Sequence, residues 1–264
     1  MRIAVVSDVH GNLPALEAVL AHARRAGYDA IVNLGDIASG PLWPRETIDF
    51  LMAEDWLTLA GNHERQVLED PPERLNDSDA FAAAALGPAH RDWLRALPAT
   101  AWLDGDVFLC HGTPDSDLTN WLDTVVPDFG VHGGHGIRPA RLEEIAQRLP
   151  PAIDGRPASR VKIALCGHTH LPRSVQLPGG PLVANPGSVG LPAYEGTRPH
   201  RHQVQNGSPH ARYAIVERRT GAFHVEHLAV SYDHTRAAAR AAENARPDWA
   251  AALATGFVGG AAPA

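Results

Sequence analysis

Five short polar clusters are the part of this sequence that could do chemistry. Each follows a short apolar run and contributes histidine, aspartate or asparagine, side chains that bind divalent transition metals through nitrogen and oxygen. Seven such side chains exceed what one ion with an open coordination position needs, so the set predicts a pair of ions. Asp36 is central in the predicted strand order and is the candidate for a bridging carboxylate. The candidate ligands are Asp8, His10, Asp36, Asn62, His111, His168 and His170.

The apolar runs before these clusters predict the strands that position them. Residues 3–6, 31–34 and 57–60 are short and apolar, and helical patterns separate them. The first helix is predicted to begin after Asn12 and to end at Gly27. This β-α-β-α-β opening predicts parallel strands covered by helices, and ligands bind at the carboxyl ends of such strands. We therefore expect the polar clusters to meet at one edge of the fold.

The rest of the chain predicts further strands, further helices and two long loops. Segments 123–137 and 190–210 are rich in glycine, proline, histidine and other polar residues and are predicted to be loops. We expect one domain over residues 1–264, with a core at about 1–230 and a helical tail at about 231–264 that ends loosely. Further strands are predicted at 107–110, 161–166, 174–177, 182–184, 211–217 and 223–230. Further helices are predicted at 45–53, 77–97 with a break at Gly87-Pro88, 139–149 and from Thr235 onward.

The composition is typical of a globular protein and argues against several functional classes. Of the 264 residues, 44% are hydrophobic and 20% are charged, and the net charge is −7. An acidic chain without a basic track is not expected to bind nucleic acid. The N-terminus becomes polar too early for a signal peptide, and no apolar run reaches the length of a membrane span. With only two cysteines, Cys110 and Cys166, the sequence predicts a cytoplasmic protein without disulfides.

The five clusters, in this order, resemble the motifs of the calcineurin-like metallophosphoesterase superfamily. The resemblance extends over about residues 1–230 and is strongest toward the smaller bacterial phosphodiesterases and phosphatases, because of Asn-Pro-Gly-Ser-Val at 185–189. Each motif alone is weak, whereas five of them in order are highly specific. The motifs are Asp-Val-His at 8–10, Gly-Asp at 35–36, Gly-Asn-His-Glu at 61–64, His-Gly at 111–112 and Gly-His-Thr-His at 167–170.

This resemblance implies a fold and a metal arrangement. The fold is an α/β, four-layer αββα sandwich of two mixed β-sheets flanked by helices, with a dinuclear metal site at the carboxyl ends of the strands. Two divalent ions are the implied cofactors, with manganese expected and iron, nickel, zinc or cobalt also compatible with the ligand mixture. The implied ligands are Asp8, His10 and His170 for the first metal, Asn62, His111 and His168 for the second, and Asp36 between them.

The implied reaction is hydrolysis of a small-molecule phosphomonoester or phosphodiester by a hydroxide that bridges the two metals. His63 is implied to lie beside the leaving group, and a histidine is suited to protonate it near neutral pH. Glu64 is a candidate for orienting His63. No arginine follows Asp36 before Arg45, which argues against the phosphoprotein substrates of related phosphatases. Ser39 stands where purple acid phosphatases have a ligand tyrosine.

Two alternatives remain open at the level of the sequence. The first is a nucleotide or cyclic-nucleotide hydrolase of the same mechanism, which an aromatic or cationic clamp beside the metals would favour. Trp43, Trp121 and Tyr194 are the candidates for such a clamp. The second is a non-catalytic scaffold protein of the same fold, against which the complete ligand set and His63 argue.

Overall fold

Two five-stranded sheets lie at the centre of the molecule, and three two-stranded ribbons lie outside them. The computed structural model describes residues 1–260, so the last residues of the predicted loose end, 261–264, lie outside the described part. The strands are β1 (Arg2–Val6), β2 (Ala30–Asn33), β3 (Leu57–Thr58), β4 (Thr100–Leu103), β5 (Val107–Cys110), β6 (Asp123–Val125), β7 (Ile137–Pro139), β8 (Ala152–Ile153), β9 (Arg156–Pro157), β10 (Ile163–Leu165), β11 (Arg173–Gln176), β12 (Leu182–Asn185), β13 (Ala193–Gly196), β14 (His202–Gln205), β15 (Ala211–Arg219) and β16 (Ala222–Val230). The α-helices are α1 (Leu13–Ala26), α2 (Pro44–Met52), α3 (Asn62–Glu69), α4 (Asp77–Ala85), α5 (Pro88–Ala96), α6 (Leu142–Gln147), α7 (His234–Glu243) and α8 (Pro247–Thr255).

The first sheet contains the β-α-β-α-β unit that opens the chain. Its strand order is β16-β15-β1-β2-β3, and β1, β2 and β3 run parallel, as predicted. The last two strands form the predicted antiparallel pair, and β15 also pairs antiparallel with β1. Helix α1 begins where the Asn12 side chain accepts a hydrogen bond from the Ala15 amide at 3.3 Å. It ends at Gly27, whose φ of 77° suits glycine best.

The second sheet has the order β11-β12-β10-β5-β4. Its three central strands run parallel, and the two edge strands, β11 and β4, run antiparallel to their neighbours. Two of these parallel strands end just before polar clusters of the sequence, as β1, β2 and β3 of the first sheet do. β5 ends before His111, and β10 ends shortly before His168 and His170.

Alternation along the strands builds the four layers. In β1, Ile3 and Val5 face the apolar core between the two sheets, whereas Ala4 and Val6 pack against the core that the helices cover. On the outer face of the second sheet, Cys110 and other strand residues pack with Ile145 of α6. The αββα sandwich that the resemblance implied is confirmed.

The two segments predicted to be loops contain short strands, so that prediction was wrong. Segment 123–137 is bounded by the β6–β7 ribbon, and segment 190–210 contains the β13–β14 hairpin. The Gln203 amide donates to the His135 carbonyl at 2.8 Å and ties the two segments together. These strands are short, largely polar and half-exposed, so they lack the apolar periodicity that identifies a strand in a sequence.

The C-terminal tail is helical, as predicted, and it packs against the body of the protein. Ala237 and Ala241 of α7 and Leu253 of α8 are buried together with Leu42 and Leu191. This packing brings α8 next to the polar edge of the sheets. Among residues 1–260, the helices are too short or too polar for any of them to cross a bilayer.

Candidate metal centre

The polar clusters meet at one edge of the two sheets, where the parallel strands end. Beyond β1 and β2 the loops continue to pair, because the Asp8 and His10 amides donate to the carbonyls of Gly35 and Asp36 at 2.9 and 3.0 Å. The His168 amide donates to Asp8 Oδ1 at 3.2 Å and so links the second sheet to the first. The seven side chains predicted as ligands lie in two neighbouring groups at this edge.

The first group consists of Asp8, His10 and His170, all of them buried. The Nε2 atoms of the two histidines are 3.0 Å apart. Asp8 Oδ1 lies 3.5 Å from His170 Nε2. One carboxylate and two imidazoles therefore converge on a space of the size of a single ion.

The second group consists of Asp36, His111 and His168, with Asn62 beside them. His111 Nε2 lies 3.1 Å from Asp36 Oδ2 and 3.2 Å from Asn62 Oδ1. The amide nitrogen of Asn62 donates to Gln66 Oε1 at 3.2 Å, which orients the Asn62 oxygen toward the group. Sequence reasoning missed Gln66, although its spacing of four residues from Asn62 on α3 was a signal.

Backbone carbonyls fix the orientation of all four histidines. A carbonyl that accepts from one ring nitrogen sets the tautomer and leaves the lone pair of the other nitrogen free for a cation. The sequence predicted such partners for the second nitrogens. The contacts are His10 Nδ1 to Ser39 at 2.7 Å, His111 Nδ1 to Leu34 at 2.8 Å, His168 Nε2 to Leu118 at 3.2 Å and His170 Nδ1 to Leu191 at 2.9 Å.

This donor set fits divalent cations and is unfavourable without them. With their Nδ1 atoms donating outward, His10 and His170 present two acceptor nitrogens to each other. Asp8 Oδ2 is buried and has no hydrogen-bond partner. Burial raises the pKa of Asp8 to about 7, and the nearby Asp36 carboxylate adds to the rise. Burial also lowers the pKa of His10 to about 4, so its ring is neutral at pH 7 and available as a ligand.

Metal removal should therefore destabilise the folded protein. One site filled by divalent metal at about 100 times its Kd would by itself add about 2.7 kcal/mol to the free energy of unfolding. For a chain of this size, that corresponds to a rise in Tm of roughly 5–10 °C. We expect this rise when manganese is added to chelator-treated protein, measured by thermal denaturation. An unchanged Tm with every divalent metal tested would contradict the binding of a metal pair at this edge.

The backbone at five of the seven candidate ligands is strained. The φ angles of Asp8, His10, Asp36, His168 and His170 are 55°, 51°, 56°, 69° and 59°, all in the left-handed region. A residue with a Cβ atom in this region costs roughly 1–2 kcal/mol, although aspartate and histidine tolerate it better than most. Such strain is retained where the surrounding structure needs the side chain at that place.

The strain predicts an unusual order of stability at His170. In chelator-treated protein, the free energy of unfolding of His170→Gly should be about 1 kcal/mol higher than that of His170→Ala. The reason is that glycine adopts a φ of 59° freely. At the exposed His224 in strand β16, the order should be reversed, since glycine weakens a strand. Urea denaturation of the four variants measures both differences. A His170→Ala variant as stable as His170→Gly would show that the left-handed backbone carries no cost.

His63 lies at the same edge and is held by an aspartate that the sequence did not identify. His63 Nδ1 is 2.7 Å from Asp79 Oδ1, and its Nε2 is 3.9 Å from Asp36 Oδ2. Asp79 is buried on α4, where Asn76 also donates to it. Burial disfavours the charged ring, but the carboxylates of Asp36 and Asp79 outweigh it and raise the pKa of His63 to about 9.

Glu64 has a different role from the one suggested by its place beside His63. Its buried carboxylate accepts hydrogen bonds from the amides of Asp36, Ile37 and Gly61, each at 2.8 Å. It therefore fixes the loop after β2 to the start of α3. The suggestion that Glu64 orients His63 was wrong, because Asp79 makes that contact.

Close backbone approach explains one glycine of the motifs. A Cβ atom added to Gly61 would collide with Asp36 Oδ1 and lie 2.7 Å from the Asp36 amide. Any other residue at this position would displace the carboxylate at the centre of the second group.

A cavity of about 470 Å³ opens beside the two groups. His63, Tyr194 and Trp249 contribute to its walls, so one of the suggested clamp residues lies next to the metal-binding edge. The other two suggestions were wrong. Trp121 is buried in the core, and Trp43 lies in a separate surface groove. Sequence reasoning missed Trp249 because it belongs to the C-terminal tail, about 80 residues after the last ligand.

Comparison with known proteins agrees with this geometry. The profile of the calcineurin-like phosphoesterase family matches residues 1–172, which hold all seven candidate ligands and His63. An uncharacterised protein of Methanocaldococcus jannaschii is 26% identical in an alignment of 261 residues. The match covers 94% of this chain and 94% of that one.

Two solved structures share the fold over nearly the whole chain. A metallophosphoesterase from Sphaerobacter thermophilus is 24% identical, with a TM-score of 0.67, and the match covers 97% of this chain and 99% of that one. A hypothetical protein from Pyrococcus horikoshii is 20% identical, with a TM-score of 0.68 and the same coverage. The C-terminal helices beyond the family profile are therefore part of a shared architecture.

Proposed function

Because this chain belongs to the calcineurin-like phosphoesterase family, we propose that it is a hydrolase that uses two divalent cations to cleave a small-molecule phosphomonoester or phosphodiester. The observation that carries the proposal is the convergence of two carboxylates, one amide oxygen and four oriented imidazoles at one edge of the sheets. When bound, the cations would polarise the phosphate and lower the pKa of the attacking water. We also propose a cytoplasmic location, which the two free cysteines suit.

Each ligand has a proposed place. Asp36 is proposed to be shared by both cations, since its Oδ2 faces His111 Nε2 at 3.1 Å while its Oδ1 accepts a hydrogen bond from the His63 amide at 3.0 Å. Manganese is the expected metal, and iron, nickel, zinc or cobalt suit the same donors. The proposed ligands are Asp8, His10 and His170 for the first metal and Asn62, His111 and His168 for the second.

His63 is proposed to deliver a proton to the leaving group. Its Nδ1 is held by Asp79, so the proton that is delivered must come from Nε2. Nε2 lies 3.9 Å from Asp36 Oδ2, at the boundary between the ligands and the cavity. A leaving-group oxygen placed at this boundary would therefore meet Nε2 as the ester bond to phosphorus breaks.

The proposal is tested by hydrolysis of p-nitrophenyl phosphate and bis(p-nitrophenyl) phosphate by chelator-treated protein to which single divalent metals are returned. We expect turnover with manganese or another transition metal and its loss on renewed chelation. Absence of turnover with every metal, in protein that circular dichroism shows to be folded, would favour the non-catalytic scaffold.

Replacement of the aspartate behind His63 should slow turnover without removing metal. In Asp79→Asn the ring loses the charged partner that fixes its orientation, so we expect kcat to fall roughly tenfold to hundredfold, as for groups that position a functional residue. The matched control is Asp49→Asn, which removes the carboxylate from a surface histidine pair, His90 Nε2 to Asp49 Oδ1 at 2.8 Å. Equal rates for both variants would contradict the positioning role of Asp79.

A nucleotide hydrolase is the second candidate, and the cavity favours it. At about 470 Å³ the cavity has the size of a typical small-molecule site, and Tyr194 offers an aromatic ring within it. The Tyr194 ring lies 4.8 Å from that of His170, so a planar group held there would lie near the metal-binding edge. The two candidates are distinguished by comparing the rates on nucleoside monophosphates with those on simple alkyl phosphates. Faster hydrolysis of the nucleoside monophosphates would favour the nucleotide hydrolase.

A further inference from the structure

The walls of the cavity beside the metal centre come from three separate parts of the chain. They are the N-terminal end of α4, the β13–β14 hairpin and helix α8. His10, His168 and His170 line the same cavity together with His63. A phosphoryl group at the metals would therefore place the rest of the substrate in this cavity.

Apart from the His63 ring, no free cationic side chain lines the cavity within the described part of the chain. Among its lining residues in the described part of the chain, Arg246 alone is an arginine or lysine. Its guanidinium forms a two-point ion pair with Asp248, with Nε–Oδ1 at 3.0 Å and Nη2–Oδ2 at 2.7 Å. Its remaining nitrogen donates to Ser78 Oγ at 2.9 Å. All three guanidinium nitrogens of Arg246 therefore donate hydrogen bonds within the protein.

The acidic side chains of the cavity outnumber its cations. Besides Asp248, the walls include Glu195 and Asp77. Glu195 is paired with Arg201 at 2.9 Å, whereas Asp77 forms no ion pair with any residue of the described range 1–260. Outside the candidate metal ligands, which include Asp36, and the His63–Asp79 pair, the cavity thus has a small net negative charge.

From this charge distribution we infer that the substrate carries a single phosphoryl group on an uncharged or positively charged organic part, and that the cavity rejects a second phosphate. A second phosphate beside the exposed carboxylates of Asp77, Glu195 and Asp248 would meet charge of its own sign without gaining a free cationic partner, which is unfavourable. This inference rests on the proposed function, because it assumes that the metals bind the phosphoryl group that reacts.

The test compares matched substrates on the manganese-loaded protein, with p-nitrophenyl phosphate and its bis-ester as the measure of general activity. We expect kcat/KM for fructose 1-phosphate to exceed that for fructose 1,6-bisphosphate at least tenfold. As inhibitors of p-nitrophenyl phosphate hydrolysis, fructose 1-phosphate should have a lower inhibition constant than fructose 1,6-bisphosphate. A kcat/KM for the bisphosphate equal to or above that for the monophosphate would overturn the inference. A failure of both sugar phosphates to react or to inhibit would overturn it as well. Either result would leave the proposed function standing. Absence of p-nitrophenyl turnover would instead overturn the proposed function, and the inference with it.

A single substitution should shift this preference. In Asp248→Asn, Arg246 loses its charged partner and becomes a free cation at the cavity wall. We expect the ratio of kcat/KM for the bisphosphate to that for the monophosphate to rise at least threefold. The matched control is Asp92→Asn, which makes the same charge change in the exposed Arg95–Asp92 pair on α5. An unchanged ratio in Asp248→Asn, with folding verified by circular dichroism, would overturn the role given to the Arg246–Asp248 pair.

Discussion

Asp36→Asn should lose both bound metal and phosphoesterase activity. The Asp36 side chain is buried in the second ligand group, with Oδ1 held by the His63 amide and Oδ2 3.1 Å from His111 Nε2. Asparagine keeps the shape of the side chain but removes the negative charge that two cations would share. Because metal ions supply several kcal/mol of transition-state stabilisation, we expect kcat/KM to fall by about 10³-fold or more.

The measurement pairs elemental analysis of the metal content with the p-nitrophenyl phosphate rate. Asp92→Asn again serves as the control, since it removes one exposed carboxylate that pairs with Arg95 and belongs to neither ligand group. Thermal denaturation adds a second readout, because the Tm of Asp36→Asn should respond less to added manganese than that of the unchanged protein. Metal content and rate close to those of the unchanged protein would contradict the bridging role of Asp36.

His63→Ala should keep its metals and still turn over slowly. His63 belongs to neither ligand group, so metal content should not change. Loss of a proton donor costs about 10²–10⁴-fold in rate when the leaving group needs the proton. The loss should therefore grow along a series of aryl phosphates as the pKa of the released phenol rises, and should be small for p-nitrophenol.

The control for this series is His224→Ala, which removes an exposed histidine from β16. It should leave the dependence on the leaving group as it is in the unchanged protein. An equal loss across all leaving groups in His63→Ala would argue that His63 orients the phosphate instead of protonating the departing oxygen. Loss of metal in His63→Ala would place it among the ligands.

The strands that end at the site could be predicted because their signal is local. A buried strand such as β1 needs an uninterrupted apolar run, here residues 3–6. The ligand-type residues follow such runs within a few positions. The order of the clusters then indicated the superfamily, from which the αββα arrangement followed. The β6–β7 ribbon and the β13–β14 hairpin could not be predicted in the same way. They are stabilised by pairing between polar segments, and such pairing leaves little periodicity in the sequence.

The supporting contacts of the site were decided by tertiary structure alone. Asp79 reaches His63 from another helix, 16 residues away, and an aspartate near a helix start would ordinarily be interpreted as a helix cap. Arg246 and Trp249 reach the cavity from the C-terminal tail. A ligand directly after a strand is placed by the strand itself, so the sequence determined the metal-binding types and their order. A side chain that acts on another element is placed by how the elements pack, so only the folded chain determined which groups hold His63 and which charges line the cavity.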